Sequence, residues 1–450
     1  MIDTIINRLD GKKILIAGFG REGKSTLRFL QKYLPDAMIG IADKNESAFQ
    51  DIDKERYELF SGDDYLNAAA DYDIIIKTPG ISVNNIEIDC SKITSQTDLF
   101  LEAYHNQVIG ITGTKGKSTT SSLIYHIIKG VKALKGKGND VILAGNIGIP
   151  ILDCIDDINE RTIIVYELSA HQLQFINKSP HVGVLLNVFE EHLDHFGTFD
   201  KYKDAKINVL RYMSDGDFAI VNNSLFHETE SMSVNRIDFE SFDLNNFNIN
   251  WEEIPLMGEH NKLNVKAALC ACRSFGFSLE DLIPHLYTFK PLEHRQEFVG
   301  IFNGVKFYND SISTIPQATI AALNTIKNVN FLLLGGFDRG IDYSPLISYL
   351  KENVMPYVLL TGKAGQTIKN MLQDADYKNF QALYNARSVS ASNYGVIANL
   401  SILDVARNRD YKTVADMPAL IALGTGNSTD VYANQINLIY DKNNNDSTSQ

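Results

Sequence analysis

The sequence is short of several things, and each shortage excludes something. Cysteine occurs four times in 450 residues, as Cys90, Cys154, Cys270 and Cys272, and never as C-x-x-C. That excludes a disulfide framework and a zinc ribbon. The pair Cys270/Cys272 lies in an apolar helical stretch and reads as core filler. No run of 18 apolar residues exists, so no membrane-spanning helix is expected. The N-terminus, Met1-Ile-Asp-Thr-Ile-Ile-Asn7, has no apolar segment of the signal-peptide kind, and a cytoplasmic protein is expected. Positive charge is also scarce: 42 Lys and Arg against 55 Asp and Glu leave a net charge of −13. A field of that sign disfavours nucleic acids and anionic membranes. It leaves room for a local basic pocket around a phosphorylated small molecule.

What is present is enough apolar material, 44%, for several cores. At roughly 100–200 residues per domain, the length suggests two to four domains. Short buried-type strands alternate with helical stretches: Lys13–Ala17, Ala37–Ala42 and Tyr72–Ile76, then Val108–Ile111, Val141–Ala144, Thr162–Tyr166, Val182–Asn187 and Phe218–Val221. A third series holds Val305–Tyr308, Asn330–Leu334 and Tyr357–Leu360. Helices are expected at Ser25–Leu34, Thr119–Lys129, Leu263–Phe275 and Pro316–Thr325. Such alternation predicts an α/β protein with parallel sheets covered on both faces. Residues 225–256 turn polar and read as irregular or peripheral, and Asp441–Gln450 reads as a mobile polar tail.

Two glycine-rich loops stand between a strand and a helix. Gly18-x-Gly20-x-x-Gly23 follows the first strand, and Asp43 ends the next one, about 20 residues on, where a ribose-binding acid belongs. The pattern fits a dinucleotide, a UDP group, or a tight turn without ligand. The second loop, Thr112-Gly-Thr-Lys-Gly-Lys-Ser-Thr119, contains Gly116-Lys117-Ser118-Thr119 and reads as a phosphate loop. Backbone N–H groups would cradle phosphate, Lys117 would neutralise its charge and Ser118 would reach Mg²⁺. Its spacing departs from the usual motif, because Ile111 holds the first glycine position.

Downstream, Glu167 ends a strand, and Asn187-Val-Phe-Glu-Glu-His-Leu-Asp-His195 follows another. Carboxylates at that edge of a parallel sheet face a phosphate loop, as a metal ligand must. A zinc site or a solvated acidic loop are the other readings of the 187–195 cluster. Lys206, on spacing alone, is a surface lysine of a helix. In the last third, Arg295 and Arg339 are forks suited to phosphate or carboxylate, and Asp310 ends a strand.

Together these motifs resemble the Mur ligases, ATP-dependent amide-forming enzymes of peptidoglycan precursor synthesis, over roughly Lys12–Ile347. Within the family the glycine loop, Thr78-Pro-Gly-Ile81 and Gly145-Asn-Ile-Gly148 are most similar to the glutamate-adding branch. The resemblance implies three domains: a Rossmann-like UDP-binding domain over 1–94, a central P-loop ATPase domain over 95–291, and a Rossmann-like amino-acid domain over 292–450. It implies that Gly20, Arg21, Asp43, Gly80 and Asn146 contact the UDP-sugar. Lys115, Gly116, Lys117, Ser118 and Thr119, with Asn261, Asn264, Arg295 and Asp310, would hold ATP. Ser118, Glu167 and His192 would hold Mg²⁺, joined by Lys206 as a carbamate, and Thr314, Arg339 and Ser428 would orient glutamate. The implied substrates are UDP-N-acetylmuramoyl-L-alanine, glutamate and ATP, used by a monomer whose domains close on one another.

Two departures stand out. Asp310-Ser-Ile-Ser-Thr314 has Ile312 where the branch usually has lysine, and Leu423-Gly-Thr-Gly-Asn-Ser428 replaces its usual C-terminal segment. The first, with Gly335-Gly-Phe-Asp-Arg-Gly340, is similar to a group that adds L-glutamate. A nucleotide-binding homologue without ligase activity, and a folylpolyglutamate-type ligase, are the remaining alternatives.

Overall fold

The computed structural model describes residues 1–83, 88–136, 140–302, 305–326, 328–336, 338, 340–353, 356–382 and 417–424. The chain divides into two compact units: residues 1–255 with 261–289, and residues 256–260 with the chain from Lys290 onward.

The first unit carries two parallel sheets. The N-terminal sheet has β1 (Lys13–Ala17), β2 (Met38–Ala42), β3 (Glu58–Phe60), β4 (Ile74–Lys77) and β5 (Ile93–Thr94), in the order β3-β2-β1-β4-β5. Its order reverses at β1, so the crevice between β1 and β4 is where such a sheet binds ligands. The glycine loop leaves β1 there, and Thr78-Pro-Gly-Ile81 leaves β4. The second sheet has β6 (Val108–Thr112), β7 (Val141–Gly145), β8 (Ile163–Glu167), β9 (Val182–Leu185), β10 (Phe218–Val221) and β11 (Asn235–Asp238), in the order β11-β10-β9-β6-β8-β7. β6 is buried at every residue, as a central parallel strand must be. It lies between β8 and β9, with Ile111 opposite Glu167 and Thr112 opposite Leu185. The ends of β8 and β9 therefore flank the phosphate loop.

One apolar core runs under both sheets, from Ile14, Ile16 and Leu30 to Ile164, Tyr166 and Leu185. The helix Gln96–Tyr104 joins them: Phe100 stacks on Tyr104, with ring centroids 4.7 Å apart, and meets Tyr166 edge-on at 5.9 Å. Each such ring removes enough apolar surface from water to contribute roughly 1.5–3 kcal/mol. Cys270 and Cys272 are buried on the helix Glu259–Ser274, as core filler should be.

The second unit has β12 (Glu297–Phe302), β13 (Val305–Asn309), β14 (Phe331–Gly336), β15 (Tyr357–Thr361), β16 (Phe380–Ala382) and β17 (Met417–Gly424), in the order β12-β13-β17-β14-β15-β16. β12 is antiparallel to β13, so this sheet is not purely parallel as the alternation suggested. Residues 225–256, read as irregular or peripheral, contain β11, an edge strand parallel to β10, so the segment is peripheral and not wholly irregular. Among the described residues no helix is long and apolar enough to cross a membrane.

Candidate active site

The phosphate loop is shaped by its glycines and braced from two sides. Gly116 has φ +87°, and a Cβ there would lie 2.5 Å from Asn264 Oδ1, so only glycine fits. Gly116 caps the helix Lys117–Leu134 with no side-chain cap, and a helix N-terminus of this kind suits an anion. Asn187, just past β9, clamps the loop: its Oδ1 accepts from Lys115 N at 2.9 Å and its Nδ2 donates to Lys115 O at 3.0 Å. Thr114 Oγ1 lies 3.1 Å from the Tyr202 hydroxyl and accepts from Phe189 N at 2.9 Å.

Three lysines converge on this loop. Lys117 Nζ donates to Gly113 O at 2.8 Å and Thr114 O at 3.0 Å. Lys206 Nζ donates to the same Gly113 O at 2.8 Å, and Lys115 Nζ lies 3.3 Å from Glu191 Oε1. Lys206 is 1% exposed, which corrects the spacing-based reading of a surface lysine. The helix Phe199–Arg211 turns its Tyr202, Ala205 and Lys206 face into the sheet, and the ammonium lies 4.8 Å from the Tyr202 ring centroid. Burial, then the neighbouring Lys117, hold the Lys206 amine well below the ordinary lysine range. A neutral amine is the form that can add CO₂.

Glu167, at the end of β8, is completely buried, accepting from Asn146 Nδ2 at 2.7 Å and Ser121 Oγ at 3.3 Å. A buried carboxylate whose hydrogen bonds come from neutral groups suits a divalent cation. Among the described residues no three His, Cys, Asp or Glu side chains form a ready-made metal cage. A cation at Glu167 would thus draw its remaining oxygens from phosphate, water and hydroxyls such as Ser118. His192 has φ 58° and opens the short helix Leu193–Phe196. Its ring stands 4.9 Å from that of His171, which in turn lies 4.3 Å from His195. Burial, then His195 and His192, push His171 down to about 3, so this ring is neutral at physiological pH.

At the N-terminal loop, Gly18 has φ +93°, and a Cβ there would lie 2.0 Å from Thr78 Oγ1. Asp43 fastens the loop by accepting from Phe19 N at 2.7 Å and Asn45 N at 2.9 Å. Arg21 donates to the carbonyls of Gly148 at 3.2 Å and Gly145 at 3.5 Å, while Gly20 and Gly80 stay exposed.

In the second unit Asp310 is buried at the end of β13, taking Gln296 N at 3.1 Å and Ser313 Oγ at 2.5 Å. Arg295 lies between two left-handed residues, His294 with φ 62° and Gln296 with φ 50°. Thr314 is half-buried and Ile312 is 38% exposed. Arg339, Ser428 and the tail 441–450 lie outside the described residues.

The model of the Mur ligase middle domain matches residues 111–250, the segment from the end of β6 across the site. A UDP-N-acetylmuramoylalanine–D-glutamate ligase of Clostridium kluyveri is 31% identical over 395 residues, 82% of this chain and 84% of that one. The chain belongs to the Mur ligase family. A ligase of the same name from Symbiobacterium thermophilum is 32% identical over 348 residues, 71% of this chain and 75% of that one. The MurF structure from Acinetobacter baumannii has the same fold, with a TM-score of 0.60 at 14% identity, over 97% of this chain and 98% of that one. As a Mur ligase the chain is an ATP-dependent amide-forming enzyme of cell-wall synthesis.

The structure brings together Lys115–Thr119, Glu167, Asn264 and Lys206, while Asn261 accepts from Asn264 Nδ2 at 3.0 Å and so meets the loop through that neighbour. Sequence reasoning passed over Asn187, Thr114, Tyr202, Ser121 and His171. Asn187 had a visible signal, since it opens the loop that follows β9. Tyr202 and Ser121 lie on helices and show no local pattern of their own.

Proposed function

We propose that this Mur ligase joins glutamate to the L-alanyl carboxylate of UDP-N-acetylmuramoyl-L-alanine, through an acyl phosphate made from ATP. D-Glutamate is the amino acid in the names of the relatives, and it is the default here. The observation that carries the reading is the convergence of Lys117 and Lys206 on one carbonyl of the phosphate loop, on the same sheet edge as buried Glu167. The N-terminal glycine loop takes the uridine nucleotide, with Asp43 and Arg21 shaping it. The domain limits that go with this reading are 1–94, 95–291 and 292–450, and the enzyme acts as a cytoplasmic monomer.

In this mechanism the substrate carboxylate attacks the γ-phosphorus and ADP leaves. The glutamate amine then adds to the acyl carbon, and phosphate departs from the tetrahedral intermediate. Chemistry of this kind needs positioning and charge neutralisation rather than a protein nucleophile. Lys117 swings from its loop carbonyls to the β/γ oxygens. The loop N–H groups cradle the phosphates, and Asn187 keeps them aimed. Glu167, Ser118 and His192, with Lys206 as a carbamate, would hold Mg²⁺, which would supply further charge neutralisation at the transferring phosphoryl group. Arg295 and Asp310 serve ATP, and Thr314, Arg339 and Ser428 serve glutamate. Ile312, in place of the lysine usual in the branch, together with Gly335–Gly340, supports L-glutamate as the second reading. Phosphate release with UDP-N-acetylmuramoyl-L-alanine and either D- or L-glutamate tests both. Release with neither amino acid would overturn the glutamate-adding assignment.

A further inference from the structure

Two adjacent residues of the N-terminal glycine loop are tied to opposite sides of Glu167, although they lie more than a hundred positions from it. Along the first route, Glu22 Oε1 accepts from Gln172 Nε2 at 2.9 Å. Gln172 is 2% exposed, and its Oε1 accepts from Ser169 N at 3.0 Å and Ser169 Oγ at 3.1 Å. Ser169 in turn caps the short helix Ala170–Leu173, two residues past Glu167, in a reciprocal capping box. Along the second route, Arg21 holds the carbonyls of Gly148 and Gly145. The turn between them is closed by Gly145 N on Ile149 O at 3.1 Å. Inside that turn, Asn146 donates from Nδ2 to Glu167 Oε1 at 2.7 Å and from its backbone to Glu167 O at 3.0 Å.

Glu22 is itself fixed from behind. Its carbonyl accepts from Gln96 Nε2 at 2.8 Å, and Gln96 is buried and also holds Thr26 Oγ1 at 2.9 Å. A side-chain shift at the start of the helix Arg21–Tyr33 therefore has few ways to relax except through Gln172 and Arg21. The first route ends at Ser169, two residues along the backbone from Glu167, and the second reaches the Glu167 carboxylate through Asn146, the residue after Gly145. Neither route needs a change of fold, since each joins packed elements through hydrogen bonds and one short stretch of backbone.

We propose that Glu22 and Gln172 are positioning residues that set the Glu167 carboxylate according to the occupancy of the N-terminal glycine loop. The uridine-nucleotide substrate and magnesium–ATP then bind cooperatively. This rests on the reading of that loop as the uridine-nucleotide site. Arg21 closes the second route. Because coupling between two sites is reciprocal, either ligand reports it.

The test is calorimetric and needs no turnover. The Kd for UDP-N-acetylmuramoyl-L-alanine is measured on the full chain, with and without Mg²⁺ and the β,γ-imido analogue of ATP. In the wild type the analogue tightens the Kd by roughly fivefold or more. Gln172→Leu and Glu22→Leu each lower that ratio at least about twofold, whatever they do to the separate affinities, the Arg21 route carrying what remains, and the double variant adds nothing further. Glu22→Gln keeps an acceptor for the Gln172 amide and keeps the ratio. Gln172→Leu also removes half of the capping box, so Glu22→Leu, which leaves the box intact, is the deciding variant if the former does not fold. A wild-type ratio of one overturns the proposal. So does an undiminished ratio in folded Glu22→Leu, because a purely structural pair would alter melting temperature and leave the ratio alone. No binding of the UDP compound to the wild type at all would instead overturn the uridine-nucleotide reading.

Discussion

The first unit contains two glycine loops built to one plan and charged in different ways. Each leaves the C-terminal end of a central parallel strand, passes a glycine of positive φ, and opens a helix. Around Gly116 the loop gathers the amino groups of Lys117 and Lys206 on its own carbonyls, with Lys115 beside it. Around Gly18 the loop is fastened by an acid, Asp43, which occupies the Phe19 N–H. Arg21 there faces the carbonyls of the next sheet. The same backbone geometry thus supports two kinds of recognition. Amino groups crowd the Gly116 loop, whereas a carboxylate fastens the Gly18 loop.

Removing the cations from the Gly116 loop should break that contrast most severely. Lys117→Ala should lower phosphate release at least a hundredfold, since one charge-assisted contact in a dry site is worth on the order of 3 kcal/mol. Affinity for the UDP compound alone, measured by calorimetry, should stay within about twofold. Near-normal turnover in this variant would remove the phosphate-loop assignment. A somewhat smaller loss, some tens of fold, is expected for Lys206→Ala. Acetate should restore part of it, because the missing group is an anion once CO₂ has added. A variant that keeps full activity, or one that acetate never helps, would argue for a purely structural lysine.

Much of this contrast was legible in the residues. Gly116-Lys-Ser-Thr119 and Gly18-x-Gly-x-x-Gly23 announce themselves because the loop chemistry is local, and strands such as Lys13–Ala17 and Phe218–Val221 are apolar runs that only a covered sheet can use. Lys206 was misread on spacing because burial of a lysine is decided by what packs over its helix. Here that is the phosphate loop, 93 residues earlier in the chain. β11 was missed for the opposite reason. Asn235-Arg-Ile-Asp238 is a partly exposed edge strand with no apolar run to mark it, and only the backbone of β10 makes it a strand. Gln172 and Asn187 are ordinary amides until the sheet order places them beside Glu22 and Lys115.

Sharpening the comparison requires a change that touches one loop and spares the other. Gly18→Ala places a methyl against Thr78 Oγ1 at a positive φ, a strain of about 1–3 kcal/mol. The melting temperature and the affinity for the UDP compound should fall together, while affinity for the ATP analogue changes less than about threefold. Gly20→Ala is its control: a Cβ at Gly20 meets nothing within 4 Å, and its φ is −75°. That variant should match the wild type in melting temperature within about a degree or two, by the size of an unstrained surface change. Equal damage from both would show that loop flexibility, and not the fit at Thr78, governs this site.

The smallest expected effect concerns Lys77, a buried lysine beside the Gly18 loop. It pairs with Ala17 in the β1–β4 register, directly before Gly18, and is 3% exposed. Its Nζ donates to Thr78 O at 3.3 Å and lies 5.6 Å from the Phe175 ring centroid. Burial pulls it down to about 8, and Glu22 offsets only part of that. The folded chain therefore releases this proton at a lower pH than the unfolded chain, whose lysine titrates near 10.5. Between those values the unfolded state binds more protons, so stability rises with pH there; below about 8 both states are protonated and the burial cost stands in full. Lys77→Met removes the titration and leaves the other groups in place. Urea denaturation of both proteins at pH 7.5, 8.5 and 9.5 should show the wild type gaining about 1 kcal/mol on the variant over the upper step. A difference that stays flat with pH would mean that Lys77 finds a counter-charge in solution, and the contrast between the loops would then lie in placement of their lysines alone.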